Sequence, residues 1–416
     1  MNFDYLMVGG SAGSVSAVEA IRSVDKNGTI ALIHREEVPG YSRPLITEVL
    51  AGEMRLDGIL FRNGGFWETS RVHLIHDEAT FIDVDDRTVT LLGGKKVGYG
   101  KILLAVGGKP IMPRLDCTDV EVHSFTSISD VERLRSALYS SDRVVVIGGG
   151  LIGVGLSDAL CRIGKKVTVV ELKDRIIPNA LDSEGASILQ GAMGRWGVNL
   201  VLGRSVEEIC RRSGGDIQVK LDNGETLIGD LVVAAIGVKP ETRLAAEAGA
   251  AVDLGIEVEE TMRTSVPELY ACGDAAEVYD YIRGDRRPLP QWPVARGTGK
   301  IAGLNMAGVE SFYEGSTTMN AFSYFNTPII TAGENSIDRS YTVVSRLENG
   351  GGVYRRFVLK EDVIVGFALV GDVERAGLFL RLMKHRAELG QLKRELCSSD
   401  FMLTSLPKRL RVEVLS

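Results

Sequence analysis

Two short stretches of this sequence have residue types and spacing suited to holding phosphate and ribose, and a third ends in a Gly-Asp pair. The first is Gly148-Gly149-Gly150-Leu151-Ile152-Gly153, in which Gly148, Gly150 and Gly153 complete a G-x-G-x-x-G. The first glycine permits a tight turn, the second lets backbone approach a pyrophosphate, and the third lets helix and strand pack closely. A helix beginning at Leu151 and Ile152 would offer free N–H groups and partial positive charge to that anion. Glu171 ends the next apolar run, 23 residues after Gly148. A carboxylate there accepts from a ribose 2′-OH and repels a 2′-phosphate. The pattern therefore favours NADH over NADPH, with Lys173 and Arg175 close enough to moderate the preference.

The second stretch, Gly9-Gly10-Ser11-Ala12-Gly13-Ser14, puts serine at the second and third glycine positions. Serine is small enough for close approach, and its hydroxyl could reach a phosphate. The matching strand-end position holds His34, with Glu36 and Glu37 after it; Glu36 is the choice for ribose contact. The third stretch, Thr264 to Asp274, is an apolar run ending in Gly273-Asp274. Taken alone, that Gly-Asp is also what a turn or capping aspartate looks like.

Each glycine turn needs a strand before it and a helix and strand after it. Asp4–Val8, the helical spacing of Val15, Val18 and Ile21, and Thr29–Ile33 supply these around the first. Arg143–Ile147, a helix, and Lys166–Glu171 supply them around the second. The two β-α-β blocks lie about 139 positions apart, too far for a solenoid and right for two Rossmann-type domains. Their continuous apolar strands predict parallel sheets covered on both faces, an α/β fold.

Composition narrows the classes further. The chain has 416 residues, 44% hydrophobic and 25% charged, which is globular and allows two to three domains. A formal net charge of −7 does not suit nucleic-acid binding. No apolar run reaches the length of a membrane span. The N-terminus enters a strand with no secretory leader pattern, so a cytoplasmic protein is expected. Five cysteines, at 117, 161, 210, 272 and 397, include no Cys-x-x-Cys, against both a disulfide scaffold and a structural zinc site. Five scattered histidines suggest no metal; His73 and His76 fall on opposite faces of an expected strand.

In this arrangement the chain, over roughly residues 4 to 390, resembles the FAD-dependent pyridine nucleotide-disulfide oxidoreductase superfamily. Within it, the chain is similar to the NADH:rubredoxin reductase and nitrite-reductase flavin-domain branch. The motifs that carry the branch resemblance are Tyr41-Ser42-Arg43-Pro44-Leu45-Ile46 with Leu50-Ala51-Gly52-Glu53, and Gln291-Trp292-Pro293-Val294-Ala295-Arg296. The junction strands Ile102–Pro110 and Leu231–Pro240, and the C-terminal Tyr354–Asp372, add to it. The resemblance implies FAD as cofactor. It places FAD against Gly9, Ser11, Ala12 and Ser14, against Glu36, Arg43, Pro44 and Ala79, against Ala105, Val106 and Gly107, and against Gly273, Asp274, Trp292 and Pro293. Asp274 would hold a ribityl hydroxyl, and Arg43 the pyrophosphate or a flavin-side group. NADH would lie on Gly148, Gly150, Leu151, Ile152, Gly153, Glu171, Ile236 and Gly237, its nicotinamide stacked on the flavin.

The superfamily's disulfide reductases carry a Cys-x4-Cys pair beside the flavin, and its oxidases and peroxidases carry one cysteine. Residues 38 to 60 here contain none, Ser42 and Thr47 being the nearest polar groups. Thiol chemistry has no candidate, so no catalytic side chain is expected and electrons should leave the flavin for an external acceptor. That acceptor would be a protein electron carrier: rubredoxin, a ferredoxin-like protein or an iron–sulfur partner subunit. Oxygen reduced to peroxide is the rival outcome, and a structural or redox-sensing flavoprotein subunit a third. Glu48 stands where some relatives carry lysine, Val106 where threonine is common, and Gly155 where the NAD helix often carries glutamate. Asp158, one turn on and on the same face, could serve near the nicotinamide, against the commoner reading of a solvated or structural aspartate. Cys272 reads as inert core, while Cys397 falls in a polar turn and could be exposed. Residues 381 to 416 hold eight Lys and Arg against four acids, a net of +4 that could steer an acidic carrier. The expected division is an FAD domain over 1–112 and 241–315, an NAD domain over 113–240, and a small C-terminal α/β domain from 316 that often dimerises similar proteins.

Overall fold

The computed structural model describes every residue except 63–64, 116–118, 336–339, 349 and 416; Cys117 therefore lies outside the described residues. The elements that carry the sites run, in chain order, β1 (Asn2–Val8), α1 (Ala12–Val24), β2 (Ile30–His34), β3 (Lys96–Leu104), β4 (Arg143–Ile147), α2 (Leu151–Arg162), β5 (Lys166–Glu171), α3 (Ser183–Arg195), β6 (Leu231–Ala234), β7 (Leu269–Ala271), α4 (Trp292–Met306), β8 (Met319–Tyr324), β9 (Thr327–Gly333), β10 (Thr342–Leu347), β11 (Tyr354–Lys360) and β12 (Val363–Val370).

The chain folds into two compact units. One comprises residues 1–110, 127–129 and 238–316. Its sheet pairs β2, β1 and β3 in parallel, with β7 also parallel on β3. Val-, Ile- and Leu-rich strands form it because both faces are covered; Leu6, Met7, Leu32, Leu103 and Leu104 are fully buried. On one face α1 and α4 cross at backbone contact. A Cβ on Gly303 would lie 2.5 Å from the Ala17 carbonyl oxygen, and one on Gly299 would overlap the Gly13 backbone.

The other unit comprises residues 111–126, 130–237 and 317–416. Its parallel sheet runs Asn199–Leu202, β5, β4, β6, Val122–Ser124. Residues 317–416 add an antiparallel sheet in the order β8-β9-β12-β11-β10. These residues fall in the same compact unit as the nucleotide fold. The reason is specific docking. The turn between β8 and β9 meets α2, and the Tyr354 hydroxyl on β11 donates to Asp182 at 2.6 Å, which also caps α3. Among the described residues, no helix is long and apolar enough to cross a membrane.

Candidate dinucleotide sites

The two glycine turns are built on one steric plan. Gly9 and Gly148 both follow a strand with positive φ, +103° and +108°. A Cβ on Gly9 would overlap the carbonyl oxygen of Ala105, and one on Gly148 that of Ala235. In each case the turn is pressed against the end of the neighbouring strand, β3 or β6, which brings Ala105-Val106-Gly107 and Ala235-Ile236-Gly237 beside the turns. Gly107 and Gly237 also take positive φ, +69° and +122°, and Ile236 is exposed.

In the second unit, Gly150 caps α2 and no side chain satisfies the helix N-terminus. No acidic residue of the helix stands in its own first turn. A Cβ on Gly150 would point into open space. A Cβ on Gly153 would overlap the Gly148 carbonyl, which explains glycine at the third position. Glu171 is buried at the end of β5, and its carboxylate accepts from Gly149 N–H at 2.6 Å and Lys173 N–H at 2.8 Å. Asp158 is not solvated. It is buried, accepts from Phe325 N–H at 2.7 Å and pairs with Arg162 at 3.0 Å.

In the first unit, Ser11 caps α1 without its side chain bonding the helix, so that hydroxyl stays available beside the Ala12 N-terminus. Ser14 is different: it is fully buried, and its hydroxyl donates to the Gly9 carbonyl at 2.5 Å. The serine that replaces the third glycine thus braces the turn from inside and does not face a phosphate. Residues 34 to 43 fold back over the turn, Gly40 N–H donating to Gly10 at 2.7 Å. There Glu36 pairs with Arg43 at 2.6 Å and also accepts from the Tyr41 hydroxyl, and Pro44 follows in a short 3-10 turn. His34 is buried, bonded through Nδ1 to the Glu36 carbonyl and stacked on His76. Ala79 is buried in the strand Ala79–Asp83, at the sheet edge away from β1 in pairing order.

The end of β7 completes the group. Gly273 (φ +68°) donates its N–H to Thr298 at 3.0 Å, against α4. Asp274, next in the chain, has no hydrogen-bond partner for its carboxylate among the described residues. Burial raises its pKa above the ordinary carboxylate value, and nearby Arg43 opposes that shift. A partly buried carboxylate without a partner is a group built for one. Trp292 and Pro293 open α4; Trp292 is exposed, with Arg296 4.9 Å over its ring and Phe61 beside it. Cys272 packs directly beneath α1, and a Cβ on Gly13 would lie 2.7 Å from its sulfur. Burial pushes its thiol up to about 12. Cys397 is buried too, its thiol facing the carbonyls of Val344 and Arg355, contrary to the exposed turn its polar neighbours suggested. These features fit two phosphate-bearing dinucleotides: two uncapped helix starts, a free Ser11 hydroxyl, open space over Gly150, and Asp274 without a partner.

The family of pyridine nucleotide-disulphide oxidoreductases matches this chain over residues 3–299. The chain is 28% identical over 393 residues to the nitrite reductase (NAD(P)H) of Bacillus subtilis (strain 168), covering 93% of this chain and 48% of that protein. It thus spans about half the length of that relative. It is 32% identical over 276 residues to the rubredoxin-NAD(+) reductase of Pseudomonas putida, covering 65% of this chain and 71% of that protein. The crystal structure of a ferredoxin reductase from Rhodopseudomonas palustris has the same fold, with a TM-score of 0.83 at 24% identity over 95% of this chain and 100% of that one.

Proposed function

This chain belongs to the pyridine nucleotide-disulphide oxidoreductase family, and from that membership we propose that it is an FAD-dependent oxidoreductase passing electrons between NADH and a protein one-electron carrier. FAD and NADH are the cofactors of the reading. The observation that carries it is the pair of glycine turns of one steric plan, one served by Glu171 and the other by Asp274. FAD, when bound, accepts a pair of electrons as hydride and can release them singly.

The protein's part is binding and orientation. The N-terminus of α1 with Ser11 would hold the FAD pyrophosphate, and Asp274 a ribityl hydroxyl. Arg43, already ion-paired with Glu36, would share its guanidinium with an anionic cofactor oxygen. The N-terminus of α2 would hold the NADH pyrophosphate, while Glu171 keeps lone pairs for a ribose hydroxyl. No side-chain acid or base is asked of the protein. Cys272, the thiol packed under the first turn, is buried, and no cysteine lies in residues 38–60. The rubredoxin-NAD(+) reductase among the relatives supports a carrier of the rubredoxin class; a ferredoxin-like protein or an iron–sulfur partner subunit completes the range of the proposal. A homodimer through the C-terminal sheet is part of the proposal.

The test is anaerobic stopped-flow reduction of the flavin-loaded protein by NADH and by NADPH, followed by mixing with rubredoxin, ferredoxin or air. Fast bleaching by NADH with fast reoxidation only by an iron–sulfur carrier is expected. Fast reoxidation by air with peroxide release would replace the reading with an oxidase. No bleaching by either nucleotide would overturn it.

A further inference from the structure

The helix that carries the second glycine turn is pinned, four residues in, by a hairpin from a distant part of the chain. A Cβ on Gly155 of α2 would lie 2.7 Å from both Cζ and the hydroxyl oxygen of Tyr324, the last residue of β8. The next residue, Phe325, donates its N–H to Asp158 one helical turn further along α2. Phe325 and Asn326 both take left-handed backbone conformations, φ +52° and +56°, as a two-residue turn between β8 and β9 requires. The Phe325 ring is buried and packs edge-on against Trp196 at the end of α3. The hairpin tip therefore sits on two helices of the nucleotide fold. It touches α2 at Gly155 and Asp158, on a helix otherwise dominated by small and apolar buried residues.

None of this is needed to make a Rossmann turn. A buried carboxylate aimed at a backbone N–H 167 residues away, and a glycine kept bare for one aromatic ring, fix the helix in position and rotation. The N-terminus of that helix is what meets the nucleotide phosphates. Binding at a helix terminus is sensitive to small displacement, because phosphate and N–H groups must meet at hydrogen-bond distance.

We propose that Tyr324 and Phe325 are positioning residues for the nicotinamide nucleotide: the C-terminal hairpin sets the register of α2, and with it the affinity of the Gly148–Gly153 turn for NADH. The inference rests on the reading of that turn as the NADH site.

The test compares Gly155→Ala, Tyr324→Ala, the double variant and Tyr324→Phe in the flavin-loaded full chain. Readouts are the KM for NADH, kcat with ferricyanide as acceptor, flavin content and melting temperature. Gly155→Ala should raise the KM about tenfold, since a misplacement of about 1 Å remote from the reacting atoms can cost as much or more. Its kcat at saturating NADH and its flavin content should stay near wild type. The double variant should fall back to the KM of Tyr324→Ala, the non-additivity expected of residues in contact. Tyr324→Phe, which keeps the ring, should behave as wild type. A KM for Gly155→Ala within twofold of wild type, or a raised KM that the double variant does not relieve, overturns the proposal. If Gly155→Ala does not fold, Tyr324→Ala against Tyr324→Phe decides: equal KM values for the two overturn it. A wild-type protein that NADH neither binds nor reduces would instead defeat the NADH-site reading, and the two failures are thereby distinguished.

Discussion

The Glu171 carboxylate reaches back from the end of β5 to take the backbone N–H of Gly149 at 2.6 Å. One side chain thus closes the glycine turn and presents the acid beside it. Removing it should loosen the turn and remove the repulsion of a 2′-phosphate together. For Glu171→Ala we expect kcat/KM for NADH to fall about tenfold while that for NADPH changes less, narrowing the preference; loss of one charge-assisted hydrogen bond is about 1.5–3 kcal/mol. Steady-state kinetics with both nucleotides checks this, and an unchanged NADH/NADPH ratio would count against a ribose role.

Gly9→Ala and Gly148→Ala should separate the two sites. Each places a Cβ onto a neighbouring carbonyl oxygen at a positive φ, adding about 1–3 kcal/mol of backbone strain before the overlap is counted. Gly9→Ala should purify with little flavin. Gly148→Ala should purify yellow but bleach slowly with NADH. Flavin-to-protein absorbance ratios and single-turnover reduction measure the two outcomes.

Asp274 offers a test with a pH signature. Its carboxyl pKa is raised by burial in the folded apoprotein, so the folded state binds the proton more tightly than the unfolded chain. Stability then falls as pH rises from the ordinary carboxylate value through the raised one, and the full cost of the buried charge is present above it. Asp274→Asn apoprotein should therefore melt higher than wild type at neutral pH, with the gap closing as the solution is acidified through that window. With FAD the order should reverse at neutral pH, because the variant loses its charged acceptor. Melting curves across pH, with and without FAD, decide it.

Thiol reagents should be ineffective. Burial pushes Cys272 to about 12 and Cys161 and Cys397 to about 11, leaving almost no thiolate at pH 7.5. In a Cys117→Ser, Cys210→Ser background, which removes the two thiols this argument does not cover, iodoacetamide should leave NADH-driven carrier reduction unchanged over an hour. Rapid inactivation would show that a thiol takes part in turnover.

Much of this architecture could be read from the chain because it rests on local residue patterns. The glycine turns at Gly9 and Gly148 and the apolar runs of β1, β2, β4 and β5 show in residue types within one β-α-β block, even though the carbonyls that press on the two glycines, those of Ala105 and Ala235, come from elsewhere. Other features depend on partners remote in sequence, and there the reading stopped short. Asp158 reads as solvated or structural, and only Phe325, 167 residues on, whose N–H it accepts, decides for the structural role. Cys397 sits among polar neighbours, yet strands β10 and β11 cover it with their carbonyls. Ser14 could have faced a phosphate; the free Gly9 carbonyl turned it inward. Tyr324 carried no motif, and only the bare Cα of Gly155 hints at something that must fit there.

The close crossing of α1 and α4 has a consequence for how the chain acquires its shape. The first helix is covered at Gly13 and Ala17 by Cys272 and by residues near Gly299 and Gly303, and β3 gains its partner β7 only at Leu269. Synthesis at roughly 5–20 residues per second leaves the opening β-α-β block waiting for tens of seconds with one face and one strand edge open. Both compact units are interleaved in this way, since the second is finished only by residues beyond 317. Assembly is thus paced by contacts of high sequence separation, the class that folds slowly. The newborn chain passes through an interval in which a half-built parallel sheet must be shielded, and chaperone dependence during synthesis is the expected mark of it.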